Sequence, residues 1–247
     1  MADVPAQRIA QLEAELAGLR AEMQDFSYTV SHDLRASLRH ILSYAQLVQE
    51  DAAELLPEET RGFLNTISDS ARHMGVLMDG LMELSRLGTV VLQTGPVPLQ
   101  PLVQDVMAEL AQKYPQRAIA WQLAPDLPKV QADATLLRAA LLYVLDNAVK
   151  FTAQRPEAQI ALSALPAAHG LVTLAVQDNG AGFNPALQSK LFHPFQRLHT
   201  TKQFPGIGMG LALTRKMLER MGGSVRAEGA VDAGCRIHLA VPAVPQA

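Results

Sequence analysis

Phe26-Ser-Tyr-Thr-Val-Ser-His-Asp-Leu-Arg-Ala-Ser-Leu-Arg-His-Ile41 places His32 at the centre of a polar, helix-patterned stretch. Before it, Ile9, Leu12, Leu16, Leu19, Met23, Phe26 and Val30 recur at alternating three- and four-residue steps. That is a heptad seam, the pattern of a helix that pairs with another helix. Beyond Val30 the apolar positions step to Leu34, Leu38, Ile41, Ala45 and Val48, so the seam slips once at this point, a stutter. His32 is two residues from both Val30 and Leu34, about 200° around a helix from each. It is therefore expected to point away from the seam. A histidine in such a place is most often a solvated surface residue. It is also open to an incoming electrophile, with Asp33 beside it and Arg35 and Arg39 flanking.

Outward from this stretch, residues 1–25 read as a coiled-coil leader or signalling helix. The first helix is predicted to run to about Ala53, and Leu55-Leu-Pro-Glu-Glu-Thr60 breaks it, since proline suits a first turn but no helix interior. A second helix places Phe63, Ile67, Ser70 or Ala71, Met74, Leu77 or Met78, Leu81 and Leu84 on one stripe. A lone hairpin cannot enclose its seam, whereas two hairpins make a four-helix bundle, so a homodimer is expected. Gly88 to Pro98 reads as a linker. After it come a helix over Leu99–Lys113, a strand over Ala118–Leu123 and a turn at Pro125–Pro128. An apolar helix capped by Asp133 then runs to about Phe151. Strands follow over Ile160–Leu165 and Leu171–Gln177, then a helix over Gly210–Met221 and a closing hairpin, Val225–Glu228 with Arg236–Val241. The predicted class is α+β: an N-terminal helical hairpin forming a dimeric four-helix bundle, then an α/β sandwich with helices on one sheet face. The expected boundaries are 1–25, 26–88, 89–97 as linker and 98–247.

Composition narrows the classes. Apolar residues make up 49% and charged residues 18%, enough for a core and too little charge for wholesale disorder. A formal charge of −3 gives no general pull toward nucleic acid or anionic membrane. A single cysteine, Cys235, forms no internal disulfide and no metal site alone, and is expected as a small core residue. No apolar run reaches the roughly 18–20 residues of a membrane span, and the first residues are no signal peptide. A cytoplasmic chain is expected.

Four further stretches carry chemistry. In Leu141-Leu-Tyr-Val-Leu-Asp-Asn-Ala-Val-Lys-Phe-Thr152, Asn147 and Lys150 fall on one helix face, an amide oxygen suited to Mg²⁺ and an ammonium suited to phosphate. Such a pair is also what any solvated helix face offers. Asp178-Asn-Gly-Ala-Gly-Phe183 leaves a strand end, where a carboxylate can accept from an exocyclic amine and Gly180 and Gly182 allow close backbone approach to a ligand; a tight turn explains it equally. Pro205-Gly-Ile-Gly-Met-Gly-Leu211 opens a helix whose free N–H groups could hold phosphate, through Gly206, Gly208 and Gly210. Between them, Leu191-Phe-His-Pro-Phe-Gln-Arg-Leu-His-Thr200 and Thr201-Lys-Gln-Phe204 read as core packing or as a mobile lid, with Arg197 toward the terminal phosphate.

The stretch Ser31-His-Asp-Leu-Arg-Ala-Ser-Leu-Arg-His-Ile41 resembles the phosphoacceptor box of sensor histidine kinases. The four later stretches resemble, in order, the nucleotide-binding boxes of that family's ATP-binding domain, a relative of the chaperone, gyrase and MutL nucleotide folds. The resemblance covers about Phe26 to Pro242 and is nearest to phytochrome-associated and other PAS-linked bacterial kinases. It implies that His32 accepts the γ-phosphoryl group of ATP while Asp33 orients it and takes its proton. It further implies Asn147 on Mg²⁺, Lys150 on the phosphates and Asp178 on the adenine amine. Gly180, Gly182, Gly206, Gly208 and Gly210 would shape the pocket, and Arg197 would steady the γ-phosphate. The implied partners are a second copy and the receiver domain of a response regulator, with input from a sensor the sequence does not identify. Three positions depart from the pattern. Ser37 stands where proline is usual, which should leave the helix straighter. Tyr143 replaces a first Asn or Glu near the metal. Ala36 lacks the Thr or Asn that would hold a water, implying weak phosphatase activity. Two other readings are an ATP-binding pseudokinase scaffold, supported by Ser37 and Tyr143, and an ATP-driven clamp, which the His32–Asp33 box counts against.

Overall fold

The computed structural model describes residues 3–52, 54–200 and 203–245. Ala53, Thr201 and Lys202 lie outside the described residues, and the side chain of Ile9 outside the described side chains. The chain divides into two compact units, residues 1–90 and 91–247.

The first unit is a helical hairpin of α1 (Asp3–Asp51) and α2 (Glu58–Leu87). Pro57 precedes α2, Glu58 and Glu59 occupy its first turn and Arg86 its last, each favoured by the helix dipole. Leu38, Leu42, Ala71 and Met78 form the packed centre, with Ala45, Ser27, Ser31 and Ser68 also buried. Arg35 bonds Asp79 at 2.8 Å and Gln49 bonds Asn65 at 2.8 Å across the helices. The single stripe expected on α1 is in fact two. Ser27, Ser31, Leu38, Leu42 and Ala45 face α2 or lie on its side, while Val30, Leu34, Ile41 and Val48 are exposed on a face about 70° around the helix. On α2, likewise, Ala71 and Met78 are buried and Phe63, Ile67, Met74 and Leu81 are exposed. Each helix of the hairpin meets one neighbour, so only one of its two apolar stripes is covered.

The second unit carries a five-stranded sheet in the order β2-β4-β5-β7-β6 and a two-stranded one, β1-β3. The strands are β1 (Thr94–Pro98), β2 (Ile119–Leu123), β3 (Lys129–Asp133), β4 (Ala158–Ala168), β5 (Leu171–Asp178), β6 (Ser224–Gly229) and β7 (Cys235–Pro242). All pairs are antiparallel except β2 with β4. Helices α3 (Leu99–Lys113), α4 (Ala134–Phe151) and α5 (Gly210–Arg220) supply Leu99, Leu110, Leu137, Leu141, Leu145, Leu213 and Met217 to the core. From the sheet, Ile160, Leu162, Leu174, Val176, Leu239 and Val241 alternate with more exposed neighbours, so one face is buried under helices.

The segment expected as linker to residue 97 is instead partly strand. Thr94–Pro98 pairs with Lys129–Asp133, and the Gln93 N–H donates to Asp133 Oδ2 at 2.8 Å. Pro96 and Pro98 misled the reading; a strand with one partner tolerates proline, because its other edge needs no N–H. Cys235 opens β7 half-buried, and burial pushes its thiol up to about 12, so it stays neutral.

Candidate functional site

His32 rides on α1 with its side chain 65% exposed, as expected from its offset from the seam. Its Nδ1 lies 3.2 Å from Asp33 Oδ1, and the Tyr28 ring, one turn earlier, is stacked at 6.5 Å. An ionised carboxylate only accepts, so this contact favours the tautomer with the proton on Nδ1 and leaves the Nε2 lone pair free as a nucleophile. Ser37 donates its hydroxyl to the Asp33 carbonyl at 3.3 Å, and α1 is helical throughout this region.

In the second unit, α4 aligns the next group. Asp133 caps it as expected, Oδ1 accepting from the Thr135 and Leu136 N–H groups at 3.0 and 3.1 Å. Asn147 and Lys150, read as separate ligands, touch: Lys150 Nζ donates to Asn147 Oδ1 at 2.8 Å and lies 4.6 Å from the Phe151 ring centre. Burial pulls the Lys150 amine below its ordinary value, with Asp146 opposing and Arg197 and Lys113 adding to the fall. Asp146 itself is turned to Lys113 at 2.6 Å and the Tyr114 hydroxyl at 2.9 Å.

Asp178 ends β5, buried, its Oδ1 accepting from the Gly180 N–H at 2.8 Å and the Cys235 N–H at 3.3 Å. Burial raises its carboxyl to about 6 although both N–H groups favour the anion. The glycines after it serve a purpose other than ligand approach. A Cβ on Gly180 would stand 2.6 Å from the Phe151 carbonyl oxygen, and one on Gly182, at φ 60°, would overlap the Ala230 carbonyl. Both let the turn pack on protein backbone. Sequence reading missed Gly234, at φ 81°, where a Cβ would overlap the Asp178 carbonyl. It also missed Arg155, which donates to the carbonyls of Asn179 at 2.8 Å, Gly180 at 3.1 Å and Asp232 at 2.7 Å. A lone arginine after a helix carries no signal for that.

The stretch read as packing or lid is tied down in part. Arg197 donates to the Phe204 carbonyl at 2.6 Å, a bond within its own segment rather than an unengaged guanidinium. Phe204 is buried and packs edge-on to Phe151, ring centres 5.0 Å apart, while Phe195 is exposed at φ 61°. Gly206, at φ 130°, has Lys150 Nζ as its nearest neighbour, 3.4 Å from where a Cβ would be. Gly208, at φ 75°, fits under the Gln196 carbonyl, and Gly210 opens α5 with Tyr143 Cδ1 3.2 Å from its Cβ position. Tyr143 thus fills the floor beneath the first turn of α5. Lys150, Asn147 and the glycines at 206 and 210 are brought together, and Phe151 joins them to the Asp178 turn.

This donor set fits a nucleotide. Asp178 Oδ2 accepts no hydrogen bond among the described residues, the first turn of α5 has no side-chain cap, and a half-buried ammonium lies beside it. For a metal the fit is narrower. Among the described residues no cluster of three His, Cys, Asp or Glu side chains could hold one, so Asn147 would hold Mg²⁺ together with the nucleotide's own phosphates. No described helix is long and apolar enough to cross a membrane.

Known families match both units. Residues 22–89 match the His Kinase A (phospho-acceptor) domain, and residues 132–245 match the histidine kinase-, DNA gyrase B- and HSP90-like ATPase family. The chain is 29% identical over 238 residues to the phytochrome-like protein Cph1 of Synechocystis, covering 96% of this chain and 31% of that protein. It is 30% identical to the methanogenesis regulatory histidine kinase FilI of Methanothrix harundinacea, covering 96% and 26%. The crystal structure of full-length ShkA in complex with AMPPNP superposes with a TM-score of 0.64 at 28% identity, covering 90% of this chain and 47% of that one. The chain thus spans under a third of these two curated relatives' length.

Proposed function

We propose, from its match to a phospho-acceptor domain and a histidine kinase-like ATPase domain, that this chain is a histidine-kinase transmitter that phosphorylates its own His32 from ATP and passes the phosphoryl group to an aspartate of a response regulator. The observation that carries this is the His32–Asp33 contact at 3.2 Å on a side chain 65% exposed, which favours the tautomer with its proton on Nδ1. In the transfer, Nε2 forms the bond to the γ-phosphorus, the bond from that phosphorus to the bridging oxygen breaks, and ADP leaves. The Nδ1 proton becomes acidic as the ring gains phosphoryl, and Asp33 is placed to take it.

Asp178 takes the adenine amine, Lys150 and the first turn of α5 take phosphates, and Gly206 gives those phosphates room beside Lys150, while Gly208 and Gly210 let the turn into α5 pack on Gln196 and Tyr143. Asn147 and the nucleotide would hold Mg²⁺, which would supply charge neutralisation at the γ-phosphate. Arg197 engages the Phe204 carbonyl through one terminal nitrogen, and its other N–H donors can steady that phosphate. Residues 26–88 serve as the dimerisation and phosphotransfer domain and the unit from residue 91 as the catalytic domain. The exposed apolar face of Val30, Leu34, Ile41 and Val48 suits a second copy, completing a four-helix bundle in the cytoplasm, where ATP and receiver domains are at hand.

The test is incubation with Mg²⁺ and γ-labelled ATP, wild type beside His32→Ala. Acid-labile, base-stable label on wild type alone is the expected result. Label on neither protein, with ATP still bound, would overturn the kinase reading.

A further inference from the structure

His199 belongs to the stretch between the two glycine-rich turns, and the nucleotide roles above leave it unused. Its Nε2 lies 2.9 Å from the Gly182 carbonyl oxygen. A carbonyl only accepts, so Nε2 carries the proton and donates. The ring packs against two others that also touch each other, 5.5 Å from the Phe151 centre and 5.1 Å from the edge-on Phe204 ring. The acceptor is not free to drift. Gly182, at φ 60°, is packed so closely on the Ala230 carbonyl that a Cβ would not fit, and the Asp232 N–H bonds the preceding Ala181 carbonyl at 2.7 Å.

The other side of the contact is anchored as well. Arg197 ties residues 196–200 to Phe204 through the Phe204 carbonyl, and Gln196 covers Gly208, two residues before α5 begins. One N–H therefore joins the turn behind Asp178 to the segment that leads into the phosphate-side helix. We propose that His199 is a positioning residue for the nucleotide, holding residues 196–200 against the Asp178–Phe183 turn so that the adenine-side and phosphate-side groups keep a fixed spacing. This rests on the nucleotide reading of the site. Adenosine reaches only one side of the tie, whereas ATP must satisfy both, so the loss of the tie falls on ATP.

Two variants of the full chain separate the donor from the ring. His199→Phe keeps the aromatic packing and removes the N–H, whereas His199→Gln loses the ring and can place an amide N–H near Nε2. Calorimetry should show ATP binding about five-fold weaker in His199→Phe, the worth of one hydrogen bond, with adenosine changed less than two-fold (roughly, on the same scale). The Gln variant should return toward wild type. ATP affinity unchanged in His199→Phe, or equally poor in both variants, overturns the proposal, the latter because packing alone would then explain the loss. Amide hydrogen exchange without nucleotide reads the tie by itself: residues 196–200 should exchange faster in His199→Phe and as wild type in His199→Gln. Unchanged exchange in the Phe variant overturns the tie. Failure of wild type to bind ATP, with the exchange result as expected, overturns the nucleotide reading instead and leaves the tie standing.

Discussion

Lys150 Nζ donates to the Asn147 side-chain oxygen at 2.8 Å, so the two groups assigned to phosphate and Mg²⁺ hold each other. Each keeps capacity for the ligand, since the amide oxygen has a second lone pair and the ammonium two further N–H donors. Asn147→Ala is expected to bind ATP in EDTA within about three-fold of wild type, because the change removes one modest hydrogen bond. Its labelling rate in Mg²⁺ should fall on the order of 100-fold, for loss of a ligand to the charge-neutralising ion. Wild-type labelling in this variant would remove Asn147 from the metal site.

Asp33→Asn tests the tautomer argument. An amide can donate or accept, so it no longer forces the His32 proton onto Nδ1, and it cannot take that proton as the ring is phosphorylated. Label should appear about 100-fold more slowly, the scale of acid–base assistance, while ATP affinity stays as in wild type. The pair is largely exposed, so no change in melting temperature is expected.

The two apolar faces of α1 predict different failures. Ile41→Glu puts a charge on the exposed face and should yield a folded monomer by light scattering, with its helical content kept. Leu38→Glu buries a charge between α1 and α2, and should unfold the hairpin itself. A monomer from neither variant would rule the exposed face out as the dimer surface.

Much of this was legible in the sequence because it rests on local chemistry. Asp133 before an apolar run marks a helix start, and its two N–H contacts are there. His32 follows from angular arithmetic alone. What stayed hidden depends on pairing at a distance: β1 holds a glycine and two prolines, β3 is five residues that follow the Pro125–Pro128 turn, and their register against each other makes them strands. Likewise a seam of apolar residues shows that α1 is buried, not that Leu38 meets α2 while Ile41 stays exposed. At the site, glycines signal a close approach without saying to what. Gly182 approaches Ala230 and Gly210 approaches Tyr143, both within the protein.

That difference is measurable. Gly182→Ala meets a backbone carbonyl at φ 60° and should destabilise the second unit by several kcal/mol, roughly the sum of strain and displacement. Gly210→Ala meets only the Tyr143 side chain, at 3.2 Å or more, and gains helix propensity, so its melting temperature should stay near wild type. Equal loss in both would mean that the Gly182 turn can shift away from Ala230.

The Asp178 carboxyl makes nucleotide binding dependent on pH. Burial raises it from 3.8 to about 6 in the folded chain. The folded chain therefore binds this proton more readily than the unfolded one. The contribution to stability is greatest in acid and is lost as pH rises between about 4 and 6, then is flat above. For the ligand the sign is opposite, because an amine N–H is best received by the anion. The dissociation constant for ATP should be level from pH 7 to 8 and should rise below about pH 6, approaching tenfold per pH unit. Asp178→Asn removes the titrating group while keeping an oxygen for the Gly180 and Cys235 N–H groups. It should melt no lower than wild type at pH 7.5, bind ATP about tenfold more weakly there for loss of a charged acceptor, and show no step near pH 6. A step that persists in this variant would assign the pH dependence to another group and leave Asp178 without its role toward the adenine amine.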